Sequence, residues 1–119
     1  MNLFLKVILL CLLPTLVAGQ QENSYLNSLH SSLSAAANDT AQIEVYSKLG
    51  RYYSLEDRDS SSFYYEKALP IAARLNLKLN EAYIFIGMGV IMMQQEKFSK
   101  SLEFYLKAIN IAKDPSIEK

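Results

Sequence analysis

The sequence predicts an all-α protein, an array of antiparallel helices joined by tight turns. Three observations carry this. Apolar residues recur three and four apart along several segments, the spacing of one helix face. Alternation of apolar and polar residues never persists long enough for a strand. The chain also overlays on itself when shifted by forty residues. Residues 61–72 read SSFYYEKALPIA and residues 101–112 read SLEFYLKAINIA, identical at six positions: Ser61/Ser101, Tyr65/Tyr105, Lys67/Lys107, Ala68/Ala108, Ile71/Ile111 and Ala72/Ala112. A fixed period of this size marks stacked helical units.

The first nineteen residues have the pattern of a secretory signal peptide. Lys6 precedes an apolar core over 7–13, Pro14-Thr15 breaks it, and Val17-Ala18-Gly19 supplies cleavage positions, with Gln20 the new N-terminus. The apolar run is short for a membrane anchor. The one cysteine, Cys11, lies in this segment, so the exported chain has no disulfide framework. Without Lys6, the basic residues fall from twelve to eleven against twelve Asp/Glu, a net charge of −1. Nucleic-acid binding needs a clustered basic face, and none is present. The same balance argues against an electrostatic membrane binder.

After a polar lead-in, the spacing predicts a first helix over 22–37, with Leu26, Leu29, Leu33 and Ala36 on one stripe. Asn38-Asp39-Thr40 ends it and opens the next. Asp39 with Gln42 resembles a capping box, a reading preferred over the glycosylation sequon that the same three residues spell. The second helix is expected over 40–55, with Ile43, Tyr46, Leu49, Gly50 and Tyr53 inward. The third is expected over 60–75, with Tyr65, Ala68, Leu69 and Ala72 inward and a kink at Pro70. Asn76 suits a left-handed helix end and Asn80 the cap of the fourth helix.

The fourth helix contains twelve apolar residues in a row, AYIFIGMGVIMM over 82–93. Twelve residues rise only ~18 Å, too little for a bilayer. A helix apolar all round is expected to be covered all round by neighbours. The fifth helix is expected over 98–113, with Phe98, Leu102, Tyr105, Ala108, Ile109 and Ala112 inward, stopped by Asp114-Pro115.

At the repeated residues the sequence resembles the tetratricopeptide repeat (TPR) family. That family's first helix carries W-x2-L-G-x2-Y; here Tyr46, Leu49, Gly50 and Tyr53 match closely, and Phe85, Met88, Gly89 and Met92 more loosely. Its second helix carries small–aromatic–small, matched by Ser61, Tyr65, Ala68 and by Ser101, Tyr105, Ala108. Ser replaces the family's first Ala in both copies, Met92 replaces Tyr, and the period is forty where thirty-four is common. The resemblance implies a TPR-like α-solenoid of about two and a half repeats: signal peptide 1–19, a degenerate half repeat 20–39, and full repeats 40–79 and 80–119. The layout is similar to the secreted or periplasmic N-terminal segments of bacterial envelope TPR proteins and sensor kinases.

Catalytic and metal chemistry find little support in the residues. His30 stands beside Ser31 and Ser32, but neighbours one and two apart on a helix diverge. Glu56-Asp57-x-Asp59 lacks a calcium loop's spacing. Gly87-x-Gly89 follows no strand, so it is no phosphate loop. No catalytic, cofactor or metal residue is therefore assigned, and no cofactor is expected.

Surface recognition remains. The resemblance implies a concave groove lined by Glu44, Lys48 and Arg51 from the first full repeat and Tyr83, Ile86, Val90 and Met93 from the second. The apolar second set disfavours a carboxylate clamp; it also fits plain burial under more protein. The function expected is a non-catalytic, exported module that binds a protein or peptide, with no nucleic acid and no membrane insertion once the signal is removed. Self-association through the uncapped fifth helix is a further expectation. The alternative is the extracytoplasmic input segment of a histidine kinase or transcriptional regulator whose output domain lies outside these 119 residues.

Overall fold

The computed structural model describes residues 2–117, with side chains described for 2–10 and 23–117. The cleavage positions 17–19 and the last two residues of the second repeat lie outside those described side chains. Among the described residues the protein is all-helical, five α-helices and no strand: α1 (Leu3–Ala35), α2 (Asp39–Tyr53), α3 (Arg58–Arg74), α4 (Lys78–Gln94) and α5 (Phe98–Ala112). Each helix packs on the next in sequence, and α2 also touches α4. Cross-links confirm the antiparallel sense. Arg74, at the end of α3, reaches Asp39, at the start of α2, at 2.6 Å. Arg58, at the start of α3, donates to the Gln94 carbonyl at the end of α4.

Local chemistry explains the boundaries. Asn38, not Asp39, caps α2, its side chain accepting from the Ala41 N–H at 2.9 Å. Asp39 lies one residue too late and pairs with Arg74 instead. Asp57 caps α3 through the Ser60 N–H. Asn80 does not cap α4, because the helix has already begun at Lys78. The helices α3 and α4 end alike. Asn76 (φ 55°) and Glu96 (φ 59°) take the left-handed conformation. The following N–H groups, of Leu77 and Lys97, reach back to the Ala72 and Met92 carbonyls, each at 2.9 Å. This is the Schellman ending, and it folds each helix back on the last. The helix α3 runs on through Pro70, which lies on its exposed side.

The first helix is longer than its stripe implied. It is continuous from Leu3, so the backbone helix runs on through Pro14, where the apolar run stops. The leucine-rich stretch has high helix propensity, and a proline removes one backbone bond without necessarily ending a helix. Among its described side chains, those of the C-terminal part join the core: Leu29 is buried with Val45 and Leu49, flanked by Leu26, Leu33, Tyr52, Tyr53 and Tyr64. Tyr53 and Tyr64 stack there at 5.8 Å. His30 stays exposed, its ring 6.5 Å from Tyr64.

The second cluster gathers Ile43, Tyr65, Ala68, Ala72, Ile84 and Ile91 from α2, α3 and α4. Two expectations fail around it. The helix α4 is not covered all round: Tyr83, Ile86, Val90 and Met93 form an exposed stripe. Its neighbours α3 and α5 cover two sides, and α2 only touches a third. The inner side of α5 is also rotated from the one expected. Ser101 and Ala108 are buried and Phe104, Tyr105 and Ile111 half-buried, whereas Phe98, Leu102, Ile109 and Ala112 are exposed. Small residues win that interface because they let the backbones of α4 and α5 approach.

Candidate functional site

The hairpins α2–α3 and α4–α5 are built by the same contacts. Ser61 Oγ donates to the Gly50 carbonyl at 2.5 Å, and Ser101 Oγ donates to the Gly89 carbonyl at 2.8 Å. Both serines are fully buried. The Tyr65 ring lies against Gly50, where a Cβ would meet it at 2.8 Å; the Tyr105 ring lies against Gly89, where a Cβ would meet it at 2.6 Å. Glycine is required at both positions by this close approach, not by backbone conformation.

Tyr65 has a second glycine on it. A Cβ at Gly87 of α4 would meet its Cζ at 2.4 Å. The ring is thus wedged between α2 and α4 and holds the two helices apart by its own width. The gap is a groove of about 550 Å³, with Tyr65 on its floor. One wall is polar, from α2: Glu44, Ser47, Lys48, Arg51 and Ser54. The other wall, from α4, is largely apolar: Tyr83, Ile86, Gly87 and Val90, with Asn80 at one end.

Six of the seven groove residues expected from sequence therefore line one groove. Met93 is exposed but lies outside it, one helical turn beyond Val90. Ser47, Ser54, Asn80 and Gly87 were missed. Their signal was present: Ser47, Arg51 and Ser54 are spaced by four and three, as are Asn80, Tyr83 and Gly87, so each set shares a helix face.

The charges in the groove are unequal. Glu44 and Lys48 pair at 2.8 Å, and that hydrogen bond, with the Lys48 charge, lowers the Glu44 pKa. Arg51 makes no ion pair among the described residues. Its charge reaches the Tyr65 hydroxyl, where it partly offsets burial; burial dominates and raises the Tyr65 pKa above 10.0. Tyr83 stands 70% exposed on the opposite wall. The groove thus sets a guanidinium on the α2 wall across from an aromatic and two aliphatic side chains on the α4 wall, with an amide at one end of the latter. Among the described residues no three of His, Cys, Asp and Glu converge as a metal site needs.

Comparison of the chain with protein-family models, with curated proteins and with solved structures gave no match.

Proposed function

We propose that this chain is a TPR-like, non-catalytic module that binds an extended segment of a partner protein in the groove between α2 and α4. The observation that carries the reading is the groove's two unlike walls held open by the wedged Tyr65. Arg51 and Asn80 offer donors to backbone carbonyls or to an acidic side chain of the segment, and Tyr83, Ile86 and Val90 offer an apolar bed for its alternate side chains. The solenoid reading is supported by the hairpin contacts repeated at Ser61/Ser101 and Tyr65/Tyr105. The module is exported by a leader over residues 1–19. Leu3, Phe4, Leu5, Val7, Ile8, Leu9 and Leu10 are all exposed and join no core, as a leader's apolar residues would be.

The test is a peptide array probed with the purified chain, followed by titration of the best binders. Arg51→Glu and Tyr83→Ala should each weaken those binders by about tenfold or more. Both residues are exposed, so the melting temperature should hold. Binders unaffected by both substitutions would place recognition elsewhere and overturn the reading.

A further inference from the structure

The wedged Tyr65 brings a polar atom to the floor of the α2–α4 groove. The residue is only 6% exposed, yet it lines the groove. Its hydroxyl makes no hydrogen bond among the described residues. A buried hydroxyl without a partner costs free energy, so buried polar groups ordinarily find one. A Cβ at Gly87 would stand 2.7 Å from this oxygen, so the glycine leaves it uncovered on the α4 side. Burial raises the Tyr65 pKa, so the phenol stays protonated and can donate.

A cation accompanies this hydroxyl. Arg51 follows Gly50, which lies against the same ring, and its charge acts on the hydroxyl. The other cation of the wall, Lys48, is held by Glu44 at 2.8 Å, whereas Arg51 has no ion pair among the described residues. The hairpin does not require a guanidinium at this position. In the second hairpin Gly89 lies against Tyr105 in the same way, and the residue after it is Val90. The groove therefore holds two donors without acceptors, one of them charged. A carboxylate answers both donors and the charge, whereas a backbone carbonyl leaves the charge unanswered.

The opposite wall fixes where that carboxylate sits in a bound segment. Gly50 and Gly87 touch the same ring, so Arg51 stands level with Gly87. Ile86 and Val90 lie on either side of that level, four residues apart, which is ~6 Å along a helix axis. In an extended segment the residues before and after a given one point to the opposite side and lie ~6.6 Å apart. A side chain directed at Arg51 and Tyr65 thus sets its two neighbours on Ile86 and Val90. A segment ending in its own carboxylate there would leave one of the two bare. Resting on the reading of this groove as the site for an extended segment, we infer that Arg51 and the Tyr65 hydroxyl form its carboxylate subsite, and that the subsite takes an internal Asp or Glu flanked by two apolar residues.

The probes are the tightest binders of the peptide array, resynthesised with acetylated and amidated ends and titrated into the full chain. Those that Tyr83→Ala weakens occupy the groove, and they should share an acidic residue between two apolar ones. Exchanging that residue for its amide, Glu→Gln or Asp→Asn in the peptide, should weaken binding by about tenfold or more. Tyr65→Phe in the chain keeps the ring wedged and removes only the hydroxyl. It should weaken the acidic peptides by about fivefold and leave the amide peptides unchanged. Arg51→Glu should lose the acidic peptides and gain those in which the acid is replaced by lysine. Groove binders indifferent to the amide exchange and to Tyr65→Phe would overturn the inference and leave the groove reading standing. Groove binders that need a free C-terminus in place of the acidic side chain would assign the subsite to a chain end and overturn it too. No binder, or binders unmoved by both Tyr83→Ala and Arg51→Glu, would overturn the groove reading, and this inference with it.

Discussion

Tyr65 and Gly87 are in such close contact that a single methyl group on Gly87 would stand 2.4 Å from the tyrosine Cζ. The ring cannot retreat, because its other side lies on Gly50. Gly87→Ala should therefore destabilise the protein by ~1–3 kcal/mol, the range for overpacking, even though alanine favours the helix by ~1 kcal/mol. Gly89→Ala makes the same kind of clash with Tyr105, but that ring borders an open groove and can move. Its net cost should be below ~1 kcal/mol. Thermal or urea unfolding of the two variants checks the difference, and equal costs would mean that Tyr65 is not wedged.

The two buried serines give a second test. Ser61→Ala and Ser101→Ala each remove a hydroxyl bond that ties one helix of a hairpin to the other. Each should cost about 1 kcal/mol. The pair should add, because the sites share no partner. Urea unfolding of the singles and the double reads both quantities; a cost confined to one hairpin would argue against their equivalence.

Much of this arrangement was legible in the sequence, and the limits were physical. The period of forty placed Tyr65 and Tyr105 correctly because both positions meet a glycine of the preceding helix. It did not show that one would be covered and the other not. Coverage depends on a further helix, and no pattern within α5 encodes that. The apolar run in α4 left two readings open for the same reason: Tyr83, Ile86 and Val90 suit a covered core and a groove wall alike, and they line a groove. The rotation of α5 was misread because large side chains were weighted over small ones. Ser101 and Ala108 decide that interface by permitting approach, a role that a count of apolar residues overlooks.

Two groups should leave a trace in the pH dependence of stability. The Asp57 carboxylate caps α3. The side-chain bond from Ser60 and then its N–H hold the Asp57 pKa below the ordinary 3.8. Its contribution is complete above 3.8 and is lost as pH falls through the lowered folded value. Asp57→Asn should flatten the acid limb of a melting-temperature profile. Tyr65 acts at the other limb, with its pKa raised by burial above 10.0. Its contribution is complete below 10.0 and is lost as pH rises through the raised value. Tyr65 should titrate late when tyrosinate absorbance is followed, and alkaline unfolding should accompany it. Normal titration of all eight tyrosines would contradict its burial.

The wall residues should separate recognition from stability. Tyr83→Ala and Arg51→Glu remove exposed side chains and should change unfolding free energy by no more than ~0.5 kcal/mol. Calorimetric unfolding checks this. A loss of several kcal/mol would mean that these residues serve the fold and not a ligand.

The groove between α2 and α4 is best tested by mapping a bound segment directly. Amide chemical shifts of the labelled chain are followed while the tightest array peptide is added. The shifts should saturate and concentrate at Ser47, Arg51, Tyr83, Ile86, Gly87 and Val90, the two walls that Tyr65 holds apart. Saturating shifts that instead cluster on the opposite face, around Phe63 and Lys67, or on α1, would contradict the groove as the site of recognition.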